Sequence, residues 1–547
     1  MHEIKQENIR KGKEKMKAQL AIKQFIQPFE RRLAMLELEA LSQSAPSAVG
    51  NDASSASVFE ISGQFDPQYL SKSLSYWREV NADEATLTEQ IRAEATSIVA
   101  GNGLDIATVR EKTNELVPER LPNRRCLRYA SHGLHEYRGK FFPQLVRALA
   151  NIAEVPQGGL IVDPMCGSGT TIVEAKSSGR WAIGFDMNPL SVFLSDVKCK
   201  ALGFDPDDLI DVFTRLDFAI ANSVDAEAER PWTTRYTQKD QEYLKRWFAP
   251  ECLEDLGLVL SVLDNLESDN FRDFFRVCLS NVLRAVSLQK EADLRVRKEE
   301  KHYSNGDLQR RFREFAKKSV KLLVAYLVEM SGDHSAIAHS VVAGDARKFA
   351  GELPEVNGTV DAIITSPPYA TALPYLDTDR LSLIVLGLLP RNDHRARDME
   401  MIGNREVTER VRKAYWETFE ERRFELPDQT CSLIQRIHEL NLNSDVGFRR
   451  KNLSALLSKY FLDMRSVLVQ SLSALKSGAP MFLVVGNNRT TAGGKDICIE
   501  TAMHLAEIGK AIGFNHVESI NMEMLASRGI FRSNAMPSEQ IVWLQKP

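Results

Sequence analysis

From residue 158 onward, short apolar and β-branched runs alternate with helical patterns. GLIVDP (159–164), AIGFD (182–186), SVVAGD (340–345), DAIITS (361–366) and MFLVVGN (481–487) each end on a turn or an acidic residue. Near-continuous apolar strands separated by helices predict an α/β fold, a doubly wound and mostly parallel sheet covered on both faces. QIVWLQ (540–545) reads as its final strand. Ligands of such sheets sit at the carboxyl ends of the strands, where the acidic and Gly-rich motifs of this chain fall.

The rest of the chain reads as helical. Ile22, Phe25, Ile26, Phe29, Leu33 and Leu36 recur at three- and four-residue steps, which predicts one long amphipathic helix over 1–41. The Ser/Ala-rich stretch 42–57 reads as a linker. Segment 1–57 is then an appendage, either a packing or dimerisation helix or a DNA-contacting arm. Residues 58–130 read as a helical N-terminal region. The sheet-forming body comprises 131–194 and 339–547, interrupted by helical insertions at 195–338 and 388–460.

Hydrophobic residues make up 43% and charged residues 26% of 547, ordinary values for a chain that buries a sizeable core. The net charge of −4 does not decide about nucleic acid, because a DNA groove needs only a local basic surface. Seven cysteines lie far apart without a C-x-x-C pair, so no metal site is expected, and the spacing points to a reduced, cytoplasmic compartment. The charged start MHEIKQENIRKGKEK lacks a secretory apolar region, and no run of about 18 apolar residues suits a membrane span.

The strongest local signal is Asp163-Pro164-Met165-Cys166-Gly167-Ser168-Gly169-Thr170-Thr171, between a strand and a helix. Two glycines one residue apart allow a tight turn close to a ligand, and the following helix offers free N–H groups. Ile172 stands where a dinucleotide fingerprint needs a small residue, and the Gly-Lys-Ser/Thr of a phosphate loop is absent. A cofactor without phosphate fits better. Asp186, at the end of the next strand, is placed either to accept from ribose hydroxyls or to cap its own turn. Asp345 ends a third strand and is a candidate for an adenine amino group, or part of an ordinary Gly-Asp turn.

D-P-M-C-G-S-G-T-T resembles motif I of the DNA amino-methyltransferases (N4-cytosine and N6-adenine type), D-P-F-x-G-S-G-T, with Met165 in place of the usual Phe. His135-Glu136-Tyr137-Arg138-Gly139-Lys140-Phe141-Phe142-Pro143 resembles the family's motif X, which closes over the methionine end of the cofactor. The resemblance implies the seven-stranded S-adenosylmethionine-dependent methyltransferase fold. It implies S-adenosyl-L-methionine as cofactor, held by Lys140, Phe141, Asp163, Pro164, Cys166, Gly167, Ser168, Gly169, Thr170, Asp186 and Asp345.

Thr365-Ser366-Pro367-Pro368-Tyr369 follows another strand. Two consecutive prolines stiffen the loop, which can then hold a hydroxyl and a carbonyl in place. Methylating an amino nitrogen needs acceptors for its hydrogens, and the Ser366 hydroxyl and Pro367 carbonyl are candidates. Tyr369 offers a face for a base taken out of the duplex. The Pro-Cys dipeptide of a cytosine-C5 enzyme is absent, so Cys166 reads as a packing residue. S-P-P-Y resembles motif IV of the same family, which assigns Ser366, Pro367, Pro368 and Tyr369 to catalysis. Its serine resembles the N4-cytosine branch, and Asp379 or Arg380 is a candidate to orient the loop. The motif order X, I, IV excludes the arrangement in which IV comes first.

Residues 284–321 carry twelve Lys/Arg against six Asp/Glu, among them Arg295, Arg297, Lys298, Arg310, Arg311 and Arg313. These are candidate phosphate contacts, or a solvated helix face. Arg124, Arg125 and Arg128, and Arg449, Arg450 and Lys451, are further candidates. Residues 391–425 hold nine basic and nine acidic residues, so charge does not mark them. The expected function is a site-specific DNA methyltransferase acting on cytosine N4, with double-stranded DNA and cognate restriction or defence proteins as partners. An N6-adenine enzyme, an RNA amino-methyltransferase and a non-catalytic DNA-recognition subunit are the alternatives.

Overall fold

The computed structural model describes residues 16–49, 57–137, 139, 141–222, 231–290, 297–330, 336–370, 375–403, 407–442, 447–523 and 535–547. The N-terminal region opens with β1 (Met16–Ile22), followed by β2 (Ser47–Ala48), β3 (Val58–Gly63), β4 (Trp77–Asn81) and β5 (Ala85–Leu87). They form an antiparallel sheet in the order β2-β3-β1-β4-β5. The expectation of one helix over 1–41 is therefore corrected. In β1 the exposed Lys17 and Gln19 alternate with the buried Ala18 and Leu20, a period of two. The helix starts only at Pro28, whose missing N–H suits a first turn. The helical reading of 58–130 is corrected too, since β3 to β5 lie within it.

The large sheet is built from β6 (Leu160–Asp163), β7 (Trp181–Asp186), β8 (His339–Ala343), β9 (Ala362–Thr365), β10 (Pro480–Ala492), β11 (Lys495–Ile499), β12 (Asn515–Glu523) and β13 (Ala535–Gln545). Its order is β12-β13-β10-β9-β6-β7-β8, with β11 hairpinned onto β10. Pairings from β10 through β9, β6 and β7 to β8 are parallel, and β13 runs antiparallel to both β10 and β12. Successive residues enter two different cores, as the pleat requires. Ile161, Ile364, Phe482 and Val484 pack with Leu145, Leu149 and Ile172 on one face. Val162, Ile363, Met481, Leu483 and Val485 pack with Phe461, Leu468 and Leu505 on the other. The strand order reverses at β6, with β7 and β8 added on one side and β9 and β10 on the other, so a crevice opens at the carboxyl ends of β6 and β9.

The N-terminal sheet is no appendage. Leu20, Leu33 and Trp77 share a core with Leu145 and Leu149 of the helix Pro143–Ile152. Asn151 of that helix donates to Glu37 and to the Ser73 carbonyl, both at 2.9 Å. The described residues of segment 195–338 include the helices Pro206–Ala221, Gln238–Trp247, Pro250–Asp264, Asp269–Val286 and Asp307–Met330, packed around their own core. The expected boundary at 195 cuts the helix Pro189–Ala201, whose Cys199 packs into the core of the sheet. Among the described residues no helix is long and apolar enough to cross a membrane.

Candidate active site

At the end of β6 the chain turns through Asp163–Gly169 into the helix Thr170–Ser177. Gly169 sits at φ +81°, and a Cβ there would meet Ser195 Oγ at 2.7 Å, so only glycine fits the turn. Ser195 Oγ donates to the Gly167 carbonyl (2.8 Å) and Lys198 Nζ to the Ser168 carbonyl (3.0 Å), holding the turn against the helix Pro189–Ala201. The Asp163 carboxylate accepts from Met165 N–H (3.1 Å) beneath the loop, and burial pushes it up to about 6.

Asp186, at the end of β7, accepts from Gly167 N–H (2.9 Å) and Asn188 N–H (2.8 Å) and lines the crevice. Burial pushes its carboxyl up to about 6. Asp345 is placed otherwise than the adenine assignment expects. Arg347 donates to both its oxygens at 2.8–3.0 Å, and the cleft is lined by Gly344 and Ala346 on either side of it. Although burial opposes it, this pairing holds the Asp345 carboxyl below the usual carboxylate range.

Ser366, Pro367, Pro368 and Tyr369 line the same cleft as the Gly-rich turn. Ser366 Oγ donates to the Val484 carbonyl at 2.9 Å, which commits its proton and leaves its lone pairs as acceptors. The Tyr369 hydroxyl donates to Glu539 of β13. Its ring lies over Gly486, where a Cβ would come within 3.1 Å of the ring. Asp379 accepts from Asn188 Nδ2 (2.8 Å), tying the helix Tyr375–Val385 to the turn after Asp186. Arg380 is buried against the Trp247 ring at 4.3 Å and donates to Asp377 at 3.0 Å.

The cleft, about 870 Å³ counted to its mouth, is also lined by Pro164, Cys166, Gly167, Ser168 and Thr170. Asp163, fully buried, and Gly169 are not among its lining residues. Burial raises the Cys166 thiol well above its usual range, which suits a packing role. Tyr137 and Phe141 supply the motif X wall, with the Tyr137 hydroxyl 2.8 Å from Ser191 Oγ. Lys140 lies outside the described residues. His135 is buried 3.0 Å from Ser280 Oγ and faces the helical insertion.

Sequence reasoning missed Met401 and Ile402, which close the cleft from the second insertion. Arg347 Nη2 donates to the Glu400 carbonyl (2.9 Å) and Arg347 Nη1 to Asp463 (3.0 Å), pinning this wall to the turn that follows β8 and carries Asp345. Nothing local in the charge-balanced segment 391–425 announces it.

Three of the six basic candidates in 284–321 are compensated. Arg310 pairs with Asp307 and Glu314, Arg311 with Asp307 (2.9 Å) and Arg313 with Asp217 (2.7 Å). These three therefore form an ion-paired helix surface, in line with the solvated-face reading. Arg297 and Lys298 are exposed, and Arg295 lies outside the described residues. Among the described residues no cluster of His, Cys, Asp and Glu is arranged to hold a metal ion.

Residues 135–205 match the UPF0020 family, described as RMKL-like, methyltransferase domain. The type II methyltransferase M.MjaII of Methanocaldococcus jannaschii is 24% identical over 326 residues, 45% of this chain and 60% of the relative. M.BsoBI of Geobacillus stearothermophilus is 21% identical over 420 residues, 71% of this chain and 79% of the relative. A tRNA (guanine(10)-N2)-dimethyltransferase of M. jannaschii is 40% identical over only 50 residues, 9% of this chain and 14% of the relative. The chain is thus similar to type II methyltransferases at 21–24% identity, and to a methyltransferase family model over residues 135–205.

Proposed function

We propose that the protein is a site-specific DNA methyltransferase that uses S-adenosyl-L-methionine to methylate the exocyclic amino group of an extruded base, cytosine N4. The observation that carries this reading is that Ser366, Pro367, Pro368 and Tyr369 share one cleft with Asp186 and the turn Cys166-Gly167-Ser168. The likeness to two type II methyltransferases supports DNA as substrate.

The residues present fit the cofactor. A side chain on Gly167 would enter the cleft toward Tyr137, whose ring a Cβ there would meet at 3.3 Å, and Ser168 Oγ is buried beside it with no partner among the described residues. Asp186, with one backbone donor on each oxygen, keeps lone pairs for a ribose diol. Phe141 and Tyr137 wall the side assigned to the methionine end. Bound in this cleft, S-adenosylmethionine supplies an electrophilic methyl group on a sulfonium. The protein's own part is positioning. Ser366 Oγ, its proton given to Val484, accepts one amino hydrogen of the base, and the Pro367 carbonyl accepts the other. The nitrogen lone pair is then directed out of the plane of those bonds. Tyr369, held by Glu539, stacks the base, and Met401 and Ile402 help to exclude water.

The test is to incubate the protein with mixed-sequence duplex DNA and isotopically labelled cofactor, then identify the labelled nucleoside by mass spectrometry. Labelled N4-methylcytosine that is lost in Ser366→Ala and Tyr369→Ala is the expected result. N6-methyladenine would keep the site and overturn the base, and label only in RNA would overturn the substrate.

A further inference from the structure

A second cavity, about 850 Å³ counted to its mouth, lies in the N-terminal region between the β1–helix connection, β4 and segment 121–125. Its walls combine apolar surface from Ile26, Ile91 and Pro122 with buried polar groups. Two charge pairs inside it are already matched: Lys23 with Glu94 at 2.6 Å and Arg125 with Glu30 at 2.5 Å. Tyr76 Oη, Arg78 Nε and Gln144 Oε1 are buried without a partner among the described residues. Tyr76 is 1% and Gln144 6% exposed.

The chemistry of these atoms restricts what the cavity takes. Gln144 Nε2 donates to the Cys126 carbonyl (2.7 Å) and to Glu94 (3.1 Å), so the amide presents its oxygen, an acceptor. Arg78 Nε is a donor only, and the Tyr76 hydroxyl is both. A ligand must therefore carry an N–H donor and an acceptor on a body that tolerates apolar walls. A bare anion fails, because the Gln144 oxygen and two carboxylates face it. A hydrocarbon fails, because it would leave three buried polar atoms unmatched. A nucleobase edge meets the requirement. At the mouth Arg124 is exposed and free of ion pairs among the described residues, placed for a phosphate.

We propose that this cavity is a second nucleotide site, the base matched to Tyr76, Arg78 and Gln144 and its phosphate at Arg124. It adjoins the active site through one segment. Phe141 lines the cleft described above, Gln144 lines this cavity, and between them the Phe142 ring carries the Arg125 guanidinium at 4.3 Å. The nucleotide comes either from solution or from bound DNA by extrusion; only the second source rests on the proposed function.

The test uses the full-length protein with Tyr76→Phe and Arg124→Ala. The first removes only an oxygen without a partner and the second an exposed side chain, so both variants are expected to fold. Calorimetric titration with each of the four deoxynucleoside 5′-monophosphates, and with inorganic phosphate, is paired with duplex-DNA affinity. Nucleotide binding that weakens about five- to tenfold in Tyr76→Phe, with inorganic phosphate inert, supports the site and a free ligand. Unmeasurable mononucleotide binding, with DNA affinity falling by a similar factor in both variants, supports extrusion from DNA. Inorganic phosphate competing as well as the nucleotides overturns the proposal, as does indifference of both ligands to both variants. The mononucleotide arm requires no methyl transfer, so it stands apart from failure of the proposed activity.

Discussion

Replacing Asp186 by alanine probes the cofactor side of the cleft. Its carboxylate already accepts from Gly167 N–H at 2.9 Å and Asn188 N–H at 2.8 Å. A carboxylate has about four acceptor positions, so two remain for the hydroxyls of a ribose. A hydrogen bond to a charged group contributes about 1.5–3 kcal/mol, and losing two removes roughly 3–6 kcal/mol. The expected result is S-adenosylhomocysteine affinity reduced by about 10²- to 10⁴-fold, read by isothermal titration calorimetry. The pH dependence follows from the same group. Burial puts its carboxyl at about 6, against an ordinary 3.8. Above pH 6 the carboxylate is ionised and wild-type affinity should be flat. Below it the protonated form loses acceptor capacity, and affinity should fall by up to about tenfold per unit. In Asp186→Ala that slope should shrink to whatever the neighbouring Asp163 contributes, whose carboxyl also lies at about 6. An alanine variant within threefold of wild type, or one keeping the full acid slope, would refute the ribose role.

Gly486→Ala should push the Tyr369 ring aside, because the new Cβ would come within 3.1 Å of it; kcat on DNA should drop about tenfold or more while calorimetric cofactor affinity holds. Glu174→Ala should cost about 3–5 kcal/mol, seen as a lower denaturant midpoint, since Glu174 accepts from Tyr129 (2.7 Å) and Arg147 (3.1 Å) and its loss strands the buried Arg147. Burial pushes the Glu37 carboxyl up from 4.5 to about 7, so the folded state binds that proton more tightly than the unfolded one. Its contribution is fully present below pH 4.5 and is lost as pH rises to about 7, roughly 3 kcal/mol, which thermal melts of wild type and Glu37→Gln across that window would check. Arg347→Met should loosen the Met401–Ile402 wall and leave Asp345 and Asp463 without their shared guanidinium, raising the apparent KM for the cofactor several-fold and lowering the denaturant midpoint.

The elements that sequence made legible are those whose signal is local. β6, β7 and β9 are apolar on both faces, and each ends where a motif begins, so pattern and chemistry marked the same positions. The N-terminal sheet was misread although its signals were present: the alternation through Lys17–Leu20, and Pro28, which a helix starting at residue 1 could not accommodate. β12 was missed because NHVESINME, an edge strand, is mostly polar. Arg310 and Arg311 have an acid three or four residues away, so their neutralisation was readable from spacing. The partner of Arg313, Asp217, was not, because it comes from another helix.

That division follows the two sides of the cleft. The cofactor side is assembled from strand ends and the turns that follow them, so a few adjacent residues define each part. The far side depends on the insertions. Ser280 of the first insertion donates to Ser382 (2.8 Å), and Tyr236 donates to the Val385 carbonyl (2.8 Å). Both brace the helix Tyr375–Val385, whose Asp379 ties it to the turn after Asp186. The second insertion supplies Met401 and Ile402. A sheet of fixed geometry can therefore keep one cofactor while the insertions change what is presented to it, and contacts made over a hundred residues apart leave no period in the sequence to read. On this argument, exchanging an insertion between relatives should alter the DNA sequence methylated while leaving cofactor affinity close to that of the parent.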